Sequence, residues 1–496
     1  MKYSTFNIQY RTSNLRCALG HFVESWTLDV GCWVLFASMV FVAGCTTYHP
    51  QQISPEKTVA AFDARSLSDP GLNAFFRTNH VALPSPGDRW NLKQLTLVAF
   101  YYQPSLAEAR AQLQVAQAAQ ITAGERPNPS VTVTPGYDSG IPDNPSPWLV
   151  PVSIDWPIET AGKRGKRVNQ AKLLAEAVRW DLIGTVWQVR SRVRTALLNL
   201  YFARETESLL RRQENAESNA VHLLEGQFEA GSVSSYDVVQ ARVAMNTALL
   251  AWQQAAGQYR QARVQLASAL GVPLRALNGV TFSFVELNEF PRQLTRPEIR
   301  RQALLNRADV RSALAQYAAS QSALQLEVAN QYPDLHLGAG YGWNTGSAGD
   351  NEWELGATLT LPILNQNQGP IAEAEAKRKA AAAHFLTIQS QAISDIDSAL
   401  IGYRAALHQV ATAEALQKNL RQRLDSVRAQ EQAGEAEPLT LANAQVEFIT
   451  GAQERLNALI QAQQALGQLE DAVQSPLTLS LAELQTAQDN FPQTEK

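Results

Sequence analysis

The sequence predicts a mixed, mainly α fold: a duplicated unit of long coiled-coil helices carrying four β-strands, two per unit. Three observations predict it. First, matching motifs recur in the same order about 204 residues apart: Asn128-Pro129-Ser130-Val131 with Tyr332-Pro333-Asp334-Leu335, Trp156-Pro157-Ile158 with Leu361-Pro362-Ile363, and Ala230-Gly231 with Ala433-Gly434. That spacing is too long for a solenoid and marks a duplicated, domain-sized unit. Second, residues 165–228 and 370–432 are rich in Ala, Gln, Leu, Arg and Glu and have no internal proline. Third, four short segments alternate cleanly between apolar and small polar side chains, as half-buried strands do.

Composition removes several classes. The 496 residues carry 42 basic and 46 acidic side chains, a formal charge of −4, without the basic excess of a nucleic-acid-binding protein. Cys17, Cys32 and Cys45 all lie in the first 45 residues, so no disulfide framework follows them. No stretch reaches the roughly 18–20 apolar residues of a spanning helix.

Residues 1–44 are expected to be a signal peptide. An uncharged, mostly apolar run, 30–44, ends in Val42-Ala43-Gly44-Cys45. A short apolar region closed by small residues reads as a secretory signal rather than an anchor. Small residues before a cysteine resemble the lipobox of bacterial lipoproteins, so Cys45 is the expected lipid attachment site and first mature residue. The alternative is an ordinary signal with an incidental cysteine. The 29 residues before the apolar run are long for a leading region, and a start downstream would shorten it. Thr46, where aspartate would resemble an inner-membrane retention signal, favours the outer membrane.

A lipidated, equatorial segment follows at 45–91. The first repeat, 92–273, opens with a helix over 92–124 that stops before Pro127 and Pro129, whose rings and missing N–H break helices. A strand pair comes next, 129–137 and 148–157. Val131, Val133, Pro135 and Tyr137 alternate with Thr132, Thr134 and Gly136; Trp148, Val150, Val152, Ile154 and Trp156 alternate with Leu149, Pro151, Ser153 and Asp155. The 165–228 helix would be about 95 Å long, a rod rather than a globular-domain helix. Its return helix carries Val238, Ala241, Met245, Ala248, Trp252, Ala255, Tyr259, Ala262, Leu266 and Ala269 at alternating spacings of three and four. A strict seven-residue repeat implies a left-handed supercoil, and the small residue in every heptad lets backbones approach closely.

A connecting equatorial segment, 274–295, leads to the second repeat, 296–475, and a tail, 476–496. Here the helix is expected over 296–331 and the strand pair at 334–343 and 352–362. Leu335, Leu337, Ala339, Tyr341 and Trp343 alternate with His336 and three glycines; Trp353, Leu355, Ala357, Leu359 and Leu361 alternate with Glu354, Gly356 and two threonines. The return stripe is Leu441, Ala444, Phe448, Gly451, Arg455, Ala458, Ala462, Ala465, Leu469 and Ala472. Loops 138–147 and 344–351 have turn composition.

One polar, small-residue face opposite an apolar face with aromatics at its ends is the pattern of a transmembrane β-barrel. Tyr137, Trp148, Trp156, Tyr341, Trp343 and Trp353 form the expected aromatic girdle. Two hairpins half-buried on a soluble core are the alternative. Four strands cannot close a barrel, and lipid does not tolerate open edges. Three chains would therefore combine into one trimeric, 12-stranded barrel above an assembly of long helices.

With these features the chain resembles the TolC-like outer membrane efflux proteins over about residues 92–476. The duplicated unit, Arg126-Pro127-Asn128-Pro129-Ser130, Pro157 and Pro362, and the turns at Gly231 and Gly434 carry the resemblance. The Pro-Asn-Pro approach to the first strand is similar to the CzcC-like heavy-metal branch. The resemblance implies a homotrimer with its barrel in outer membrane lipid and an α-helical periplasmic tunnel closed at its inner tip. Partners would be a periplasmic membrane-fusion adaptor and an inner-membrane pump, of RND type in the first instance. The implied function is passive conduction of metal ions or small toxic compounds out of the cell.

The tip residues are Gly231, Asp237, Gln240, Gly434, Glu435, Glu437, Thr440 and Asn443. Best-known members place acidic rings there that bind cations. Asp237 fits, but Thr440 and Asn443 depart from that pattern, and Glu435 and Glu437 could supply the charge instead. Solvated turn chemistry is the plainer reading of these acids.

No CxxC, HExxH, phosphate loop or G-x-S-x-G occurs, and the seven histidines show no metal-ligand pairing. The expectation is no enzyme, no cofactor and no resident metal. The basic run Lys163, Arg164, Lys166 and Arg167 reads as a solvated flank near lipid head groups rather than as an anion site. A non-transporting trimeric envelope-spanning or adhesive lipoprotein, or a duct for type I protein secretion, are the alternatives to efflux.

Overall fold

A computed structural model describes residues 48–85, 87–137, 148–288, 290–291, 296–344 and 352–477. The expected signal peptide, Cys45, the two hairpin loops and most of the tail lie outside them. Two compact units are defined, one ending at Val59 and one beginning at Ala60. Residues 48–59 of the first run irregularly to Ser54 and enter a helix, α1 (Pro55–Asp63).

The second unit continues with α2 (Pro70–Thr78), β1 (Arg89–Trp90), α3 (Leu92–Tyr102), α4 (Pro104–Gly124), β2 (Ser130–Val133), β3 (Gly136–Tyr137), β4 (Trp148–Ile158), α5 (Lys163–Glu229) and α6 (Ser235–Leu270). It proceeds through β5 (Thr281–Phe282), α7 (Arg296–Asn306), α8 (Ala308–Ala329), β6 (Leu335–Asn344), β7 (Glu352–Leu359), α9 (Gln368–Gln432) and α10 (Pro438–Val473). The rods α5 and α9 have 67 and 65 residues, and both return helices have 36. Among the described residues no helix is long and apolar enough to cross a membrane.

Both single helices expected ahead of the strands are broken. Over 92–124 the break falls at Gln103, whose backbone is extended because Pro104 follows. Gln103 Nε2 donates instead to the carbonyls of Ser268 and Ala269 at the end of α6, at 2.8 and 2.6 Å. In the second repeat Arg307, with φ −58° and ψ 129°, interrupts α7 and α8 without any proline. Its buried guanidinium donates to Ala472 O at 2.8 Å and to both Asp309 carboxylate oxygens, so tertiary bonds replace the steric breaker.

The strands form one antiparallel sheet in the order β2-β4-β6-β7, with β3 also on β4. β2 and β3 are the two parts of one expected strand, divided at Thr134 and Pro135; proline has no ladder N–H to give. Register aligns like faces. Val131 opposes Ile154, Ile154 opposes Ala339, and Ala339 opposes Leu355; on the other side Thr132 opposes Ser153, Ser153 opposes Gly340, and Gly340 opposes Glu354. The apolar face has no cover within the chain: Leu355 is 87% and Trp353 81% exposed. β2 and β7 are open edges.

The helices bury a core mainly near the middle of the rods. Leu72, Phe76, Leu95, Leu106, Val193, Leu197, Leu266 and Leu270 pack in one cluster; Ile299, Ile396, Leu400, Tyr403, Ala462, Leu466 and Leu469 pack in a second. α6 packs on α5 through its expected stripe, with Ala248, Ala255 and Ala262 buried. α10 packs on both α9 and α5. Beside the expected stripe it therefore buries a second one containing Ala442, Ile449, Leu456, Gln463, Leu466, Glu470 and Val473.

Candidate functional site

Three regions can carry function: the exposed sheet, the junction around the rod starts, and the tip of the helical hairpins.

On the sheet, the aromatic residues sort by height. Tyr137 stacks edge-on to Trp148, its register partner, with ring centroids 5.3 Å apart. Tyr341 and Trp353, also partners, are 4.8 Å apart. These pairs lie at the loop ends of the hairpins. The backbone of Trp343 lies opposite Val150, at the same end; its side chain is outside the described residues. Trp156, 57% exposed, sits opposite Leu337 towards the helical end. From Trp148 to Trp156 the strand advances about 26 Å at roughly 3.3 Å per residue, similar to the apolar band of outer-membrane barrels, about 25 Å tall.

Below the sheet, the basic run is a solvated flank only in part: Arg164 is exposed, whereas Lys163 is buried. Helix N-termini repel cations, and α5 starts with four. Lys163 is buried and donates to Asp334 Oδ1 at 2.8 Å; Thr160 N donates to the same oxygen at 2.9 Å. Arg164 Nε reaches Gly124 O at 2.6 Å, Lys166 reaches Ala161 O at 3.2 Å, and Arg167 pairs with Glu159. The run ties the start of the rod to both strand approaches. The second repeat uses another device at the same place: Asn367, with φ 61°, donates to Glu327 O at 2.8 Å and its carboxylate at 2.9 Å.

Near the middle of the rods a buried polar clasp joins the two repeats. Glu470 of α10 is 1% exposed. Its Oε2 lies 3.2 Å from Arg190 Nη1 and 3.5 Å from Arg194 Nε on α5, while Leu477 N donates to its Oε1 at 3.0 Å. Arg194 also donates to Gln463 O and Oε1, at 3.1 and 2.9 Å, and Gln463 Nε2 donates to Leu287 O in the connecting segment. Burial pulls the Arg194 guanidinium below its ordinary pKa, and Glu470 opposes that pull. Gly467 leaves room for Arg194: a Cβ there would collide with Nη1. Sequence reasoning missed this clasp. A signal existed, since Gln463 and Glu470 are seven apart on one face of α10, but that face reads as exposed until α5 is seen against it.

At the tip the two hairpins share one backbone solution. Gly231 and Gly434 have φ of +75° and +73°. Ser232 N donates to Gln227 O and Glu435 N to Gln430 O, both at 2.8 Å, the bonds of a Schellman helix end. A Cβ would meet nothing within 4 Å at either glycine. Gly231→Ala or Gly434→Ala should therefore cost only the backbone strain, about 1–2 kcal/mol. Faster amide hydrogen exchange confined to the altered turn is the expected readout; exchange spreading along the rods would contradict it.

Beyond the turns the repeats diverge. Asp237 closes a capping box: its Oδ2 accepts from Ser234 Oγ at 2.7 Å and Ser234 N at 3.0 Å. Those bonds hold its carboxyl below the usual range. Gln240 is exposed one turn further. In the second hairpin Glu437 precedes Pro438 at the helix start and makes no side-chain cap. Glu435, Glu437, Thr440 and Asn443 are exposed. The structure thus joins Asp237 to its own turn and leaves the second tip's carboxylates facing outward.

Among the described residues no group of three or more His, Cys, Asp or Glu could hold a metal ion.

The comparisons with known proteins agree with this architecture. The chain is similar to the cobalt-zinc-cadmium resistance protein CzcC of Cupriavidus metallidurans, 27% identical over 217 residues, 43% of this chain and 50% of that protein. It is also similar to the pyoverdine export outer membrane protein OpmQ of Pseudomonas aeruginosa, 25% identical over 296 residues, 56% of this chain and 62% of that protein. The chain therefore spans only between half and two thirds of the length of these curated relatives. The fold matches that of the outer membrane protein VceC of Vibrio cholerae, with a TM-score of 0.63 at 18% identity over 77% of this chain and 96% of that one. The resemblance read from the strand and turn motifs is borne out, and CzcC stands among the relatives as the Pro-Asn-Pro approach led one to expect. The model of the family described as outer membrane efflux protein matches residues 101–272 and 299–473, most of both repeats, and the chain belongs to that family.

Proposed function

We propose that this protein is the outer membrane channel of a tripartite efflux system, conducting metal ions or small toxic compounds passively to the outside. One observation carries the reading: a four-stranded sheet with two open edges, an uncovered apolar face ringed by tryptophan and tyrosine, and a small polar face behind it. Open edges in lipid must pair. Three copies joined from β7 to the next β2 supply the 12 strands of a closed barrel. The same order sets α4 of one copy beside α9 of the next. Val115 and Ile121 on α4 and Leu386 on α9 are exposed within one chain, and that contact would cover them.

A passive conduit draws its energy from elsewhere, so in this reading an inner-membrane pump, of RND type, and a periplasmic adaptor complete the system. The adaptor would meet the tip at Gly231, Gln240, Gly434, Thr440 and Asn443. In planar bilayers the purified protein should form pores, and cross-linking should give trimers. Deleting the gene should raise sensitivity to zinc, cobalt, cadmium or copper. Unchanged metal tolerance with altered drug tolerance would move the substrate class, and a protein that never conducts would sink the channel reading.

Two expectations concern single sites. Glu435→Gln with Glu437→Gln should weaken blockade of the pore by divalent cations severalfold, whereas Asp237→Ala should mainly loosen its own helix start. Equal blockade in the double variant returns the two glutamates to turn chemistry. Cys45→Ala should abolish acylation of the N-terminus in mass spectra; an unacylated wild type would make Cys45 incidental.

A further inference from the structure

The polar face of the sheet is charged in one sense only. Register places Asp155, Glu352, Glu354 and His336 on it, amid glycine, serine and threonine. Among the described strand residues of this sheet there is neither lysine nor arginine. At the helical end of the face, His336 Nδ1 lies 2.8 Å from Asp155 Oδ2, and the two side chains are 40% and 42% exposed. Position 338, directly opposite Asp155, is glycine, so no side chain there shields the pair from the water it faces.

On the trimeric barrel proposed above, we infer that His336 is a selectivity-determining residue: with Asp155 it forms a collar at the barrel's base whose charge sets the preference for cations over anions. The groups around it are accounted for. Asp155 faces it from β4, and Thr358, which does not titrate, opposes it on β7. Asp334 lies two residues back on its own approach, bonded to Lys163. A cavity of about 450 Å³ beside it is lined by Glu125, Arg126, Glu159 and Arg167, and Glu159 is paired with Arg167. A fixed cation at position 336 would offset Asp155 in each of three copies and leave the collar near neutral. The surviving carboxylates, Glu352 and Glu354, stand towards the loop end, at a distance where screening by about 10 Å in 0.1 M salt weakens their hold on the base.

The test is the cation-to-anion permeability ratio of the trimer in planar bilayers under a KCl gradient centred near 0.1 M, measured for the wild type, H336R and D155N. In both variants the ratio should fall at least about twofold below the wild type. Raising both sides to about 1 M salt, where screening acts within roughly 3 Å, should erase the difference. A wild-type ratio in H336R and D155N would overturn the collar and leave the channel reading intact. Absence of any conductance in all three proteins would overturn the channel reading itself.

Discussion

Replacing Glu470 with alanine should destabilise the protein by about 3–5 kcal/mol, the cost of stranding charges in a buried site. Glu470 is 1% and Arg194 6% exposed, and Arg190 leans on the same carboxylate oxygen. Removing the anion leaves two guanidiniums facing each other, with Gln463 as the hydrogen-bond acceptor left to Arg194. It also frees Leu477 N, which Glu470 accepts from at 3.0 Å. The measurement is thermal unfolding in detergent, followed by circular dichroism. A double variant, Arg194→Met with Glu470→Leu, should recover much of the loss, because well-packed apolar residues often replace a buried ion pair at little cost. If E470A unfolded within about 0.5 kcal/mol of wild type, as surface changes do, the clasp would contribute nothing.

Leu355→Arg should be the most damaging single change on the sheet. Leu355 lies mid-strand on β7, opposite Ala339, and is 87% exposed on the apolar face. In lipid an arginine near the bilayer midplane costs about 2–4 kcal/mol. On a soluble sheet the same exposed position would tolerate it within about 0.5 kcal/mol. Refolding into lipid vesicles followed by urea titration separates the two outcomes. Gly356→Ser, one residue along and so on the polar face, is the control: a Cβ there meets nothing within 4 Å, and folding should be close to wild type. A tolerated L355R would remove the apolar face from the membrane.

Much of the fold could be read from local chemistry. Alternation fixes which side of a strand a residue takes, so the two faces of the sheet followed from Val131 to Leu359 and the structural register matches them residue by residue. Seven-residue spacing placed the α5–α6 seam on Ala248, Ala255 and Ala262. Proline at 104 should have signalled the break at Gln103, because the residue before a proline leaves the helical region. Nothing local signals the break at Arg307: its bonds run to Ala472, 165 positions away, and to Asp309.

The candidate sites divide in the same way. Turn glycines, the capping box at Ser234 and Asp237, and the aromatic ends of the strands are patterns within a few residues, so sequence periodicity and turn chemistry reveal them. The clasp at Glu470, the seat of Lys163 on Asp334 and the pairing of His336 with Asp155 each join residues more than 170 positions apart. By itself the sequence determined the duplicated rods, the two-faced strands and the turns between them, because helix and strand periods are set by backbone geometry and by which side chains avoid water. Only the tertiary structure decided that α10 sits between α9 and α5, and with it which charged residues are buried. A lone chain cannot announce both faces of a helix as buried until the second neighbour is in place.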